Sequence, residues 1–202
     1  GALEVGPGDE VIIPVYTFIA TYNVVTLNYA LPVMVDTDVS TFQIDASKIE
    51  AAVNSQTKVI MPVHMGGSPA DLDTIMEISR KMKVPVIEDA CQAPLAEWRG
   101  RKVGTIGLAG GFSFQASKNI NAGEGGAVTT NDDEFARYCN NFHNQGMQGS
   151  TTTQYEDGAG TRASNMRLTE FQSGVLLAQM SRLIEHANRR SENANYLTAL
   201  LN

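Results

Sequence analysis

The chain has 202 residues, of which 43% are hydrophobic and 18% charged, and it carries a formal net charge of −7. This composition is typical of a globular protein with a sizeable core, and the acidic balance argues against a nucleic-acid surface, which needs clustered Lys and Arg. No apolar run approaches the roughly 20 residues that span a bilayer, and two cysteines are too few for a disulfide framework and lack metal-ligand spacing. We therefore expect a cytoplasmic protein without metal, membrane or nucleic-acid partners.

Apolar runs and helical repeats alternate along the chain. Strands are predicted at residues 11–14, 32–36, 58–61, 84–87, 110–114 and 127–130. Helices are predicted at residues 19–27, 45–53, 71–82 and 133–143, followed by one long helix at 168–197. This alternation predicts an α/β fold with a mainly parallel sheet covered by helices. The segment 148–164 is rich in Thr, Gly and Ser and is predicted to be a mobile loop.

A lysine and an acid stand at two predicted strand ends. Asp89 follows the strand 84–87, at the edge where ligands of open α/β sheets bind, and Lys118 follows the strand 110–114. The glycines of segment 123–126 permit positive φ and close approach of a ligand to the backbone. Pyridoxal phosphate (PLP) needs a lysine to hold its aldehyde carbon and a carboxylate to keep its ring nitrogen protonated. The two residues therefore predict a PLP site in one crevice.

Each of these residues also has a simpler interpretation. A lone lysine in a loop is usually a solvated surface charge. An aspartate at a strand end is commonly a cap or turn residue, and the Gly-Glu-Gly-Gly run of residues 123–126 also fits a tight turn.

Several segments together resemble the DegT/DnrJ/EryC1/StrS family of sugar aminotransferases, which has the aspartate-aminotransferase fold type. The resemblance covers essentially the whole chain and rests on residues 6–12, 63–64, 88–93, 112–114 and 165–170. It implies the three-layer large domain of a PLP-dependent transferase.

The resemblance implies roles for individual residues. Lys118 is similar to the lysine that binds the cofactor covalently, and Asp89 to the partner of the pyridine nitrogen. Gln92 would bond the 3-hydroxyl group of the ring, and Ser113 the phosphate, although Ser113 is equally suited to satisfying backbone groups in a strand.

Three further residues carry two interpretations each. Phe18 matches the aromatic residue that stacks on the cofactor ring, but a phenylalanine in that context also fits a core position. Asn165 matches an asparagine that reaches the phosphate of the neighbouring subunit, which implies a homodimer with shared active sites; it also fits a cap of the helix that begins near Thr169. We expect His64 to be a hydrogen-bonded core or loop residue and not a catalyst.

The family pattern extends beyond this chain on both sides. Family members carry an earlier strand and helix start whose backbone amides bind phosphate, and a later, smaller C-terminal domain. We therefore expect a fold truncated at both ends. Residues 1–150 would be the central part of the PLP-binding large domain, and residues 151–202 a mobile loop and long linker helix toward a missing C-terminal domain.

The resemblance implies an aminotransferase that moves an amino group from glutamine or glutamate to a keto sugar or keto cyclitol. Segments 114–121, 95–98 and 176–179 look most like the glutamine-dependent scyllo-inosose aminotransferases. A related sugar dehydratase would carry histidine in place of Lys118. A non-catalytic fragment or regulatory module of the same fold stays open, whereas a nucleotide-binding oxidoreductase is disfavoured because the glycines of segment 104–110 open no clear helix.

Overall fold

The computed structural model describes residues 1–146 and 163–201. Most of the predicted loop at 148–164 therefore lies outside the described residues. The chain divides into two compact units, the first comprising Gly1–Phe112 and Val128–Arg167, the second Ser113–Ala127 and Leu168–Asn202.

The elements alternate as the sequence predicts. The strands are β1 Glu10–Pro14, β2 Leu31–Val35, β3 Thr57–Ile60, β4 Ile87–Asp89, β5 Glu97–Trp98, β6 Arg101–Lys102, β7 Ala109–Ser113 and β8 Gly126–Thr130. The helices are α1 Ile19–Thr26, α2 Ala46–Ala52, α3 Leu72–Met82, α4 Asp133–His143, α5 Glu170–Met180 and α6 Leu183–Leu201, with a 3₁₀ turn at Met65–Gly67.

The sheet is mainly parallel, as predicted. Strand β1 pairs in parallel with β2 and β3, and β4 pairs in parallel with β7, which also neighbours β8. Isolated parallel bridges between Ile60 and Val86 and between Val63 and Asp89 connect the two sets of strands. Strands β5 and β6 form a short antiparallel hairpin.

Helices cover both faces of the β2-β1-β3 sheet. Successive side chains of β1 point to opposite faces. Val11 and Ile13 pack with Val25 of α1, whereas Ile12 packs with Ile49 of α2 and with α3. A strand that is apolar on both faces is the pattern of a parallel sheet buried between two helical layers, so the predicted three-layer α/β architecture is confirmed.

Two element predictions differ from the structure. The predicted strand 84–87 begins three residues later, because Pro85 has no N–H to donate to a ladder and contributes only its carbonyl, to the N–H of Ile60. The predicted long helix is two helices. The hydroxyl of Ser181 donates to the carbonyl of Ala178, which would otherwise accept from the N–H of Arg182. The Arg182 N–H donates to the carbonyl of Gln179 instead, so the α-helical hydrogen-bond pattern ends at these residues.

Within residues 1–146 and 163–201, none of the helices has the length and apolar content that a membrane crossing requires. Over the same residues, no cluster of three or more His, Cys, Asp or Glu side chains is arranged to bind a metal ion.

Candidate functional site

Asp89 is the last residue of β4, and hydrogen bonds fix its backbone on both sides. Its N–H donates to the carbonyl of Pro62 at 2.9 Å, and its carbonyl accepts from His64 N–H at 3.0 Å. The next residue, Ala90, donates to Gly111 of β7 at 2.9 Å. The half-buried side chain is therefore held at the carboxyl end of the parallel strands, as the sequence predicts, although the strand itself begins later than expected.

Both carboxylate oxygens of Asp89 accept hydrogen bonds. Oδ2 accepts from the hydroxyl of Thr21 at 2.8 Å, and Oδ1 accepts from the N–H of Cys91 at 3.1 Å. A carboxylate offers about four acceptor positions, so each oxygen can accept one further donor. Asp89 is thus more than a turn residue: it is a fixed acceptor with capacity for a ligand N–H.

Thr21 was missed by sequence reasoning. It is 3% exposed, and its hydroxyl lies 2.7 Å from the hydroxyl of Thr17. The only signal in the sequence is a pair of threonines four residues apart around Phe18, and the first of them precedes the helix.

Phe18 immediately precedes α1, and its side chain is 61% exposed. The core interpretation of this residue is therefore wrong. The backbone carbonyl of Phe18 accepts from Thr21 N–H at 3.0 Å, so the aromatic residue and the threonine that contacts Asp89 belong to the same helical turn.

The side-chain amide of Gln92 has a defined orientation. Its Oε1 accepts from the backbone N–H of Gly66 at 2.8 Å. Gly66 has a φ of 64° and lies in the 3₁₀ turn after β3, a conformation that glycine adopts without a Cβ clash. Because the oxygen is engaged, Nε2 with its two N–H groups is the end of the amide that a ligand can meet.

Glu88 and His64 form a buried pair directly behind Asp89. Both side chains are 0% exposed, and Nε2 of His64 lies 3.0 Å from Oε2 of Glu88. Nδ1 of His64 accepts from Ala70 N–H at 3.1 Å, so Nε2 carries the imidazole proton and donates it to the carboxylate. The expectation that His64 is a hydrogen-bonded core residue is confirmed.

The Glu88 carboxylate also accepts three backbone N–H groups. These come from Gly104 to Oε2 and from Ile106 and Gly107 to Oε1, each at 2.7 Å. Burial alone would raise the pKa of the Glu88 carboxyl, but the hydrogen bonds from His64 and the three backbone groups lower its pKa below the ordinary value. Nothing in the local sequence distinguishes this buried structural acid from its neighbour Asp89.

Lys118 and Ser113 belong to the second unit. Ser113 ends β7, and its Oγ accepts from Gln115 N–H at 3.3 Å, so Ser113 satisfies a backbone group as its simpler interpretation expects. Lys118 is half-buried in the loop that follows; its N–H donates to Gln115 and its carbonyl accepts from the amide of Asn121. A bond from Ala122 N–H to the Phe114 carbonyl at 2.9 Å closes this loop.

Two of the three glycines in segment 123–126 adopt the positive φ that glycine permits. Gly123 has a φ of 85° and Gly125 a φ of 129°. A Cβ at Gly125 would lie 2.5 Å from Cδ1 of Leu168, so a side chain at this position would displace the end of the leucine side chain.

Asn165 lies in the first unit. It is exposed, bridges to Asn144, and accepts from Arg167 N–H through Oδ1 at 3.3 Å. It does not cap α5, because Thr169 is the N-cap and forms a capping box with Gln172. The capping interpretation of Asn165 is therefore wrong.

The donors and acceptors of the first unit match the chemistry of a pyridoxal ring. A carboxylate can pair with a protonated ring nitrogen, an oriented amide N–H can donate to a phenolate oxygen, and an exposed aromatic side chain can stack. Asp89, Gln92 and Phe18 supply these three groups.

Comparison with known proteins identifies a family. The model of the DegT/DnrJ/EryC1/StrS aminotransferase family matches residues 1–202. The chain is 43% identical to the GDP-perosamine synthase of Caulobacter vibrioides (94% of this chain, 50% of that protein). It is also 43% identical to the 3-amino-5-hydroxybenzoate synthase of Amycolatopsis mediterranei (98% and 51%) and 41% identical to a pleiotropic regulatory protein of Geobacillus stearothermophilus (99% and 52%). The chain thus spans about half the length of these relatives.

Solved structures agree with the sequence comparison. The fold matches a crystal structure of 3-amino-5-hydroxybenzoic acid synthase with a TM-score of 0.91 and 40% identity, over 99% of this chain and 52% of that one. It matches a Streptococcus pneumoniae protein provisionally named a sugar aminotransferase, solved in its PLP form, with a TM-score of 0.84 and 30% identity, over 96% and 54%.

Proposed function

Since the chain belongs to the DegT/DnrJ/EryC1/StrS aminotransferase family, we propose that its full-length protein is a PLP-dependent aminotransferase. It moves an amino group from glutamine or glutamate to the ketone carbon of a sugar or cyclitol; the donor leaves as an oxo acid and the acceptor gains an amine. Scyllo-inosose is the acceptor that the sequence resemblance favours. The chain spans half of its relatives, so the activity belongs to the whole protein, of which residues 1–150 are the central part of the large domain and 151–202 lead to a C-terminal domain.

The observation that carries the proposal is the pre-set carboxylate of Asp89 at the end of a parallel strand, with the oriented amide of Gln92 in the following turn. PLP, when bound, supplies an electron sink for the carbanion left at the α-carbon of the amino donor. The carboxylate of Asp89 would keep a positive charge on the ring nitrogen. Nε2 of Gln92 would donate to the ring 3-hydroxyl oxygen, and Phe18 would stack on the ring.

Lys118 has two tasks. Nζ of Lys118 would hold PLP covalently through its aldehyde carbon, and as a free amine it would accept the proton from the α-carbon of the amino donor as a general base. Ser113 and Asn165 would bind phosphate, Asn165 toward the neighbouring subunit of a homodimer. We also propose that the protein is cytoplasmic.

The test is amino transfer by the full-length protein. Loaded with PLP and given glutamine or glutamate with scyllo-inosose, it is expected to form the cyclitol amine, and the Lys118→Ala variant is expected to form none. A Lys58→Ala variant, which alters an exposed lysine of β3, is the matched control and should retain turnover. Turnover by Lys118→Ala without added amine would contradict the mechanism.

A regulatory role is the second candidate, because one relative with 41% identity is named a pleiotropic regulatory protein. A regulator of this fold could bind PLP on Lys118 and still lack amino transfer. Covalent PLP with no turnover on any keto sugar or keto cyclitol would favour this candidate over the enzyme.

A further inference from the structure

A chain of two threonine hydroxyls, from Thr17 before α1 to Thr21 within it, ends on the carboxylate of Asp89, and none of the roles above uses it. Thr21 Oγ1 lies 2.8 Å from Asp89 Oδ2, and Thr17 Oγ1 lies 2.7 Å from Thr21 Oγ1. We propose that Thr21 is a positioning residue of the ring site, which holds the Asp89 carboxylate in place and fixes the turn that carries Phe18. This inference rests on the proposed function, because it assigns the hydroxyl a task in binding a pyridine ring.

The direction of the two hydrogen bonds follows from the acceptor at the end. An ionised carboxylate only accepts, so the single hydroxyl proton of Thr21 points at Asp89. The oxygen of Thr21 then accepts from Thr17. Two hydroxyl dipoles in series therefore point at one carboxylate oxygen, and each strengthens the other.

The environment of Thr21 differs from that of an ordinary helical threonine. A threonine in a helix usually donates to a carbonyl three or four residues earlier. Thr26, on the same helix, does so, with Asn23 O at 3.2 Å. Thr21 is 3% exposed and instead donates to a side chain 68 residues away, so its hydroxyl is committed to Asp89.

One residue thereby contacts two of the three predicted ring-binding residues. The Thr21 side chain fixes Asp89, and its backbone N–H donates to the carbonyl of Phe18 at 3.0 Å. Loss of the hydroxyl leaves the carboxylate held by the Cys91 N–H but removes the hydrogen bond that links α1 to the end of β4. The nitrogen partner of the ring would then be less firmly preset, while every residue assigned to contact the ring is still present.

The test compares three variants of the full-length protein. Thr21→Val removes the hydroxyl at nearly constant shape, Thr21→Ser restores it, and Thr26→Val removes a hydroxyl of the same helix that does not contact Asp89. PLP carrying ¹⁵N in its ring is titrated into each chain. The dissociation constant is read from visible absorbance, and the ring-nitrogen chemical shift at one neutral pH reports whether that nitrogen holds a proton. Thermal unfolding of each variant reports the fold.

We expect Thr21→Val to weaken PLP binding about tenfold, the effect of one hydrogen bond to a charged group, and to move the ring ¹⁵N shift toward the unprotonated value. Thr21→Ser and Thr26→Val should stay within about twofold of the unsubstituted chain, with its shift. A Thr21→Val variant with unchanged affinity and ¹⁵N shift overturns the positioning role alone, as does a lowered melting temperature with an unchanged shift. Absence of PLP on Lys118 in the unsubstituted chain overturns the proposed function and this inference with it.

Discussion

Glu88 and His64 form a pair of fully buried polar side chains, with 3.0 Å between Oε2 of the carboxylate and Nε2 of the imidazole. The pair lies one residue from Asp89 and connects β4 to the loop that holds Gly104 and Gly107. The four hydrogen bonds that the Glu88 carboxylate accepts offset the cost of burying its charge. The carboxylate thus anchors the end of β4, from which Asp89 projects.

Replacing Glu88 by Gln is expected to destabilise the first unit by about 3 kcal/mol, as breaking a buried charged network does. The amide has the same shape, but its NH₂ group would face N–H donors that the carboxylate now accepts. Urea unfolding measures the loss. Glu97→Gln, which alters an exposed ion pair with Lys102, is the control and should cost at most about 1 kcal/mol. Equal losses for the two variants would show that the buried network stabilises the fold no more than an exposed ion pair does.

The same carboxylate predicts a pH dependence. Its pKa is lowered in the folded state from the ordinary 4.5. A group of this kind stabilises the fold at pH values above its unfolded pKa, and that contribution is lost as the pH falls through the folded pKa. The stability gap between the unsubstituted chain and Glu88→Gln should therefore be constant near neutral pH and narrow once the pH falls below about 4.5. A stability gap that widens as the pH falls would contradict a lowered pKa of Glu88 in the folded state.

Gln92→Glu separates folding from ligand binding. A glutamate keeps an oxygen for the Gly66 N–H, so the melting temperature should change little. It replaces the N–H donor by a negatively charged oxygen that would face the ring 3-hydroxyl oxygen, so PLP affinity should fall at least about tenfold. Gln56→Glu, at an exposed position in a loop, is the control and should bind PLP as the unsubstituted chain does. Unchanged affinity in Gln92→Glu would remove Gln92 from the site.

Two glycines of the second unit should respond to alanine in opposite directions. Gly125 has a φ of 129° and would place a Cβ 2.5 Å from Leu168, whose side chain can move, so backbone strain dominates and the loss is about 1–2 kcal/mol. Gly174 lies inside α5 with nothing within 4 Å of a Cβ, so alanine should stabilise by roughly 0.5–1 kcal/mol. Chemical unfolding of both variants measures the difference. Equal effects would mean that the conformation at Gly125 is not strained.

The sequence predicted those parts of the fold that depend on local patterns. The apolar run of residues 11–14 predicted the strand that became β1, and the position of Asp89 at a strand end followed from the apolar residues before it. The break between α5 and α6 could not be predicted, because the competing hydroxyl of Ser181 looks like any other helical serine. The β5–β6 hairpin escaped notice since its strands have two residues each.

The site was predicted less completely than the fold. Residues with a recognisable chemical type, such as Asp89 and Lys118, stand out in a strand-and-loop pattern. Thr21 and Glu88 do not, because their roles come from contacts with residues 68 positions away and 16 to 24 positions away, respectively. Only the tertiary structure reveals such pairs.

The most direct test of the central claim is the position of a covalent PLP adduct. The full-length protein is incubated with PLP, reduced with borohydride, digested and mapped by mass spectrometry, with a circular dichroism spectrum to show that it is folded. We predict a visible absorbance band before reduction and a single reduced adduct on Lys118, lost in Lys118→Ala. A folded chain that carries the adduct on a different lysine, or none at all, would contradict the assignment of Lys118.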